Sequence, residues 1–161
     1  MPKLLYFPGQ GRAQAIRFMC DVKGVAFEDV RMSGVEWGPI KAAATHGEGV
    51  QMPIWVTDDG KSYGQSMAIL KMMAFEHGYM PETAMQEYEA EWVYATMVDI
   101  CEKPEIYALL KEDADEAAQQ ACIDILTKFY KRCDAQWNDG RAHIAGDKIT
   151  HADFAMLARH T

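Results

Sequence analysis

Several kinds of protein are excluded by what this sequence lacks. No uninterrupted apolar stretch approaches the ~20 residues needed to span a bilayer, so no membrane-spanning segment is expected. Met1-Pro2-Lys3 leads straight into Leu4-Leu5-Tyr6-Phe7, with no apolar signal region and no small-residue cleavage site. A cytoplasmic protein is expected. Positive charge is also scarce: 16 Lys+Arg stand against 24 Asp+Glu, net −8, which argues against phosphate-driven nucleic-acid binding as a primary role. The four cysteines, Cys20, Cys101, Cys122 and Cys133, are scattered through helix-like segments and form neither a disulfide framework nor a CxxC knuckle. They read as free buried thiols. The five histidines show no HxxxH or HxH spacing, so no metal is expected.

What is present is ordinary globular material: 161 residues, 49% hydrophobic and 25% charged, enough for one domain or two small ones. Charge divides the chain. Residues 1–80 carry 8 basic and 8 acidic side chains, whereas residues 81–161 carry 8 basic and 16 acidic, so the whole excess lies in the second half. The texture changes at the same place, where Gly78 and Pro81 bracket a short break. The expected division is a first domain over 1–78, a linker over 79–85 and a helical domain over 86–161.

The first half mixes strand and helix signals. Residues 3–7 read as a strand stopped by Pro8-Gly9-Gln10-Gly11. A helix over 12–23 follows, with Ala13, Ile16, Met19 and Cys20 at 3–4 spacing and Gly24 as its stop. A second strand near 27–32 completes a βαβ unit. After an irregular Gly-rich stretch through Gly49, residues 53–57 and 61–63 flank Asp58-Asp59-Gly60, a hairpin signal. Residues 65–76 read as a helix ended by His77-Gly78. The second half is helical only: 85–101 with an apolar line through Tyr88, Trp92, Ala95 and Val98 or Cys101, limited by Pro104, and then 114–137 with a stripe from Ala117 to Cys133. The acidic residues on the opposite faces read as a solvated surface. Thr150-x-x-Asp153 reads as a capping box opening a last helix, with Ile149 as a hydrophobic staple.

Four motifs stand in this order: Leu5-Tyr6-Phe7-x-x-x-Gly11-Arg12-Ala13-x-x-Ile16-Arg17; Gln51-Met52-Pro53-Ile54; Gln65-Ser66-Met67-Ala68-Ile69; and Gly146…Thr150-x-x-Asp153-Phe154. With the βαβ-ββα order and the helical second half, this resembles the cytosolic glutathione transferases over essentially the whole chain. Within them it resembles the sigma class, the group that includes haematopoietic prostaglandin D synthase. The resemblance implies an α/β thioredoxin-like N-terminal domain followed by an all-α C-terminal domain. In the family, further helices follow the capping-box helix and form the far wall of the acceptor pocket, so the chain is expected to be truncated relative to it.

The resemblance also implies roles. Tyr6, at the end of the first strand and just before a helix start, is the catalytic tyrosine that activates glutathione, the co-substrate, with Arg12 supporting it. The physical need is clear: a thiol of reference pKa about 8.5 is only ~3% ionised at pH 7. Lowering that pKa by two units takes about 2.7 kcal/mol and makes the thiol about three-quarters thiolate. A phenol donating to sulfur, helped by helix-terminal N–H groups, has that capacity. The glutathione-binding set is Phe7, Trp37 and Lys41 (W-x-x-x-K, on the glycyl carboxylate), Gln51, Met52 and Pro53 (a cis-proline step pairing with the cysteinyl unit), and Gln65 with Ser66 (on the γ-glutamyl carboxylate). Asp99 is the match for an acidic residue that reaches the partner subunit's site in a homodimer. A small hydrophobic electrophile is expected near Phe7, Gln10, Tyr94 and Met97. Three readings follow: a transferase, a glutathione-dependent prostaglandin isomerase, or a non-catalytic glutathione-binding or structural relative. A thioredoxin-like oxidoreductase lacks its nucleophile, since Pro8-Gly9-Gln10 holds no cysteine.

Overall fold

The computed structural model describes residues 1–109 and 115–158. Residue 114, the expected start of the long helix, and residues 159–161 lie outside the described residues. The element order begins β1 (Lys3–Tyr6), a 3-10 turn (Gly11–Ala13), α1 (Gln14–Lys23), β2 (Glu28–Arg31) and α2 (Gly34–Ala42). It continues with β3 (Ile54–Val56), β4 (Ser62–Tyr63) and α3 (Ser66–His77), then α4 (Ala84–Cys101), α5 (Pro104–Leu109), α6 (Glu116–Trp137) and α7 (His151–Leu157). The described residues form two compact units, one of 1–80 with the residues from Asp153 onward and one from Pro81 to Ala152, the division falling within α7.

In the first unit the strands lie in the order β2-β1-β3-β4. β1 pairs parallel with β2, as a βαβ crossover requires, and antiparallel with β3, whose hairpin brings β4 alongside. The two-residue period of β1 sends Leu4 and Leu5 to opposite faces. Leu4 is fully buried; Leu5 joins Met32, Trp37, Met52 and Ile54 in one core cluster. α1 and α3 pack on each other and bury Ile16, Met19, Ile69, Leu70 and Met73, each contributing about 1.5–3 kcal/mol by leaving water. Gly24 and Gly78 end these helices in the left-handed conformation that glycine adopts without penalty. α2 lies where the sequence reads as irregular. Its start is a full capping box, Ser33 Oγ accepting from Glu36 N–H while the Glu36 carboxylate accepts from Ser33 N–H, and Pro39 sits inside it.

In the second unit α4 starts on a Thr83/Gln86 capping box and α6 on Asp115, which accepts from Ala118 N–H. The buried face of α4 is Ala90, Val93, Met97 and Ile100, not the line through Tyr88 and Ala95, both of which are exposed. α4 is apolar on several sides, so its period alone selects no face. Past its end, Pro104 opens the short α5, where a missing N–H costs nothing. Among the described residues no helix is long and apolar enough to cross a membrane.

Arg141 ties α4 to the loop before α7. It donates to Glu89 Oε2 at 2.5 Å, to Asp139 Oδ2 at 2.6 Å and to the Ile144 carbonyl at 3.2 Å. Its side-chain donors, and then its backbone N–H, pull the Asp139 carboxyl down to about 2. A folded-state pKa below the unfolded one stabilises the protein above the unfolded value, about 3.9, and that contribution disappears as pH falls through about 2. Asp139→Asn therefore lowers stability at neutral pH, and its difference from wild type closes between about pH 4 and pH 2, as denaturant unfolding across that range checks.

Candidate active site

Tyr6 ends β1, half-buried against the cluster of Leu5, Met32, Trp37, Met52 and Ile54. Its ring meets Phe7 edge-on, with centroids 5.7 Å apart. Its hydroxyl reaches the 3-10 turn that leads into α1, where backbone N–H groups have no partner within the helix, and Arg12 N–H donates to Tyr6 Oη at 3.0 Å. The oxygen thus accepts one hydrogen bond and keeps its proton free to donate. The geometry depends on Gly11. Its φ is +41°, and a Cβ there would stand 2.5 Å from Tyr6 Oη, so a side chain at position 11 is incompatible with the phenol where it lies.

The other sequence-predicted residues are distributed around this point. Trp37 and Met52 are buried in the cluster that Tyr6 packs on. The Met52–Pro53 peptide is cis, and Pro53 is fully buried. Gln51 adjoins the Gly64 backbone through its carbonyl, 3.9 Å from where a Cβ on Gly64 would lie. Gln65 holds φ +68° and ψ +102° immediately before α3, a conformation that costs a non-glycine residue of order 1–3 kcal/mol and clusters at functional positions. Ser66 is the first residue of α3, among its unpaired N–H groups. Phe7, Arg12, Lys41 and Gln65 have exposed side chains. Arg12 meets Tyr6 through its main chain; among the described residues its guanidinium makes no hydrogen bond or ion pair. Asp99 is exposed on α4, in the second unit.

No protein-family model matches the chain. Individual relatives do. The class-mu 28 kDa glutathione S-transferase isozyme of Schistosoma japonicum is 30% identical over 97% of this chain and 77% of its own. The belonging is decided by that match. The chain is a member of the glutathione S-transferase family. The haematopoietic prostaglandin D synthase of Gallus gallus is 30% identical over 94% of this chain and 74% of its own. The solved structure of NaGST-2 superposes with a TM-score of 0.79 at 26% identity, covering 98% of this chain and 78% of that one.

In this glutathione S-transferase family chain, the residue that the first motif contains without an expected role is Arg17. It is 5% exposed, with its guanidinium carbon 5.7 Å from the Tyr6 ring centroid. It donates to the carbonyls of Gly9 and Gln10, to Gln14 Oε1, and through Nε and Nη2 to Asp29 of β2. Asp29 also accepts from Arg31 Nε at 2.8 Å, and Arg31 Nη1 donates to the Pro8 carbonyl at 3.0 Å. A signal exists in the sequence: position 17 falls on the apolar face of α1 with Ala13, Ile16 and Cys20, where a cation needs an opposite charge, and β2 supplies Asp29.

Elsewhere, Cys20 is no competing nucleophile, because burial, and then Asp21, push its thiol up to about 12. Glu87 and Glu91 of α4 and the fully buried His151 bring one ligand-type atom each within 4.8 Å of one another, His151 Nε2 lying 3.4 Å from Glu91 Oε1. Histidine spacing does not announce this group, since its members come from α4 and α7.

Proposed function

We propose that the chain is a glutathione transferase in which Tyr6 activates the glutathione thiol for attack on small hydrophobic electrophiles. The observation that carries this reading is the Tyr6 hydroxyl accepting from Arg12 N–H, which leaves its own proton to donate to a sulfur held beside the start of α1. The thiol releases its proton to solvent, and the Tyr6 O–H and the helix-terminal field stabilise the resulting thiolate. The sulfur lone pair then forms a bond to the electrophilic carbon as the leaving group departs with its electron pair. The Met52 backbone pairs with the cysteinyl unit in strand fashion, with Gln51 beside it. Ser66 and Gln65 receive the γ-glutamyl carboxylate, Trp37 and Lys41 the glycyl carboxylate, and Arg12 adds positive charge nearby.

The protein acts in the cytoplasm as a homodimer, with Asp99 serving the partner's site. Activity that falls on dilution in step with dimer dissociation, followed by light scattering, supports this arrangement; undiminished activity of the monomer opposes it. Steady-state conjugation of glutathione to an electrophilic aryl halide tests the reaction itself. Saturable turnover is expected, and glutathione affinity without turnover on any electrophile favours a non-catalytic relative. Isomerisation of a prostaglandin endoperoxide is a second reading, favoured by the likeness to the Gallus gallus synthase, and it starts with the same thiolate.

Ser66→Ala raises the KM for glutathione about tenfold with kcat little changed, the pattern of an interaction present equally in the bound and transition states. Initial rates across a glutathione series measure it.

A further inference from the structure

The turn between Tyr6 and the 3-10 turn is gripped from beneath by charged side chains. Three consecutive carbonyls, those of Pro8, Gly9 and Gln10, each accept from a guanidinium: Pro8 from Arg31 at 3.0 Å, Gly9 and Gln10 from Arg17 at 3.3 and 3.2 Å. Asp29 joins the two arginines, accepting from Arg17 Nε and Nη2 and from Arg31 Nε. Because β1 and β2 are paired in register, Tyr6 opposite Arg31 and Leu4 opposite Asp29, the anchor of this grip belongs to the same rigid sheet that carries the phenol. The next residues along the gripped turn are Gly11, which the Tyr6 hydroxyl overlies, and Arg12, whose N–H it accepts.

We propose that Arg17, Asp29 and Arg31 form a positioning clamp that holds the 8–10 turn so that the Arg12 N–H stays on the Tyr6 hydroxyl, and thereby sets how strongly Tyr6 activates the thiol. This rests on the reading of Tyr6 as the thiol activator. The three residues act through Tyr6 and touch no substrate. Arg17 is the buried arm and adds its positive charge beneath the phenol ring. Asp29 is the hub. Arg31, whose side chain is 41% exposed, is the arm that is replaceable without burying an unpaired charge.

The test compares Arg31→Gln and Asp29→Asn with wild type, folding being checked by circular dichroism. Asp29→Asn leaves Arg17 without its full counter-charge and risks unfolding, so Arg31→Gln is the deciding variant. Two readouts are taken. The first is the pH dependence of kcat for conjugation of glutathione to an aryl halide. Its acid limb is expected to move up by about half to one pH unit while the KM for glutathione stays within about twofold. A merely structural support lowers activity without moving that limb. The second is amide hydrogen exchange at Arg12 without glutathione, expected to quicken at least about threefold. A folded Arg31→Gln protein with the wild-type pH profile and wild-type exchange at Arg12 overturns the clamp. Wild-type protein that neither binds nor turns over glutathione overturns the functional reading instead, and exchange at Arg12 then decides the clamp alone.

Discussion

Tyr6→Phe lowers kcat for glutathione conjugation about 10- to 30-fold at pH 7 and leaves glutathione affinity within about threefold. The magnitude follows from ionisation. If the phenol supplies two pKa units, the bound thiol is about three-quarters ionised with it and ~3% without it. Part of this ~25-fold difference is returned because a thiolate of higher pKa is the better nucleophile. Phenylalanine keeps the packing of the half-buried ring against the cluster that holds Leu5, Trp37 and Met52, so the loss belongs to the hydroxyl and not to the fold. Since the unassisted thiol ionises by itself at higher pH, the deficit shrinks above about pH 9. Rates measured from pH 6 to 10 in both proteins check the magnitude and the trend. A deficit that is constant with pH contradicts ionisation as the source.

Gly11→Ala has a comparable effect by a different route. The added Cβ would stand 2.5 Å from Tyr6 Oη, inside any tolerable contact, so the phenol or the turn must move and the Arg12 hydrogen bond is lost. The φ of +41° adds roughly 1–2 kcal/mol of backbone strain for alanine. Activity falls about as far as in Tyr6→Phe, and stability drops by about 2 kcal/mol. The two substitutions do not add: with phenylalanine at position 6 the atom that clashes first is gone. In that background Gly11→Ala costs little further activity, and less stability than in wild type. Kinetics and denaturant unfolding of the four proteins complete the cycle. Additive losses in both quantities oppose the close approach of Tyr6 to Gly11.

Much of the fold is legible because its signals are local. The apolar run 3–7, the Gly24 stop, the Asp59-Gly60 step and the Gly78 stop each act within a few residues, and the elements lie where those signals put them. α2 is not, since Gly34, Gly38 and Pro39 mask a Ser33/Glu36 capping box that is plain once the helix is seen. The face of α4 is not either, since Tyr88, Trp92 and Ala95 compete with Ala90, Val93 and Met97 at the same spacing, and only packing chooses. At the candidate site, Tyr6 and Gly11 stand out through the resemblance that Leu5-Tyr6-Phe7 and Gly11-Arg12-Ala13 carry. Arg17 does not, because its meaning depends on Asp29 and Arg31, brought to it by the parallel pairing of β1 and β2. The strain at Gln65 is likewise a property of the folded backbone, which no composition reveals.

In the proposed function the Tyr6 hydroxyl holds glutathione as a thiolate. The most direct measurement is titration of the thiolate absorbance of bound glutathione, in wild type and in Tyr6→Phe. The expected result is a thiol pKa about two units below the reference value of about 8.5 in wild type, returning close to that value in the variant. Equal pKa values in the two proteins, or a bound thiol that titrates as it does free in solution, would contradict it.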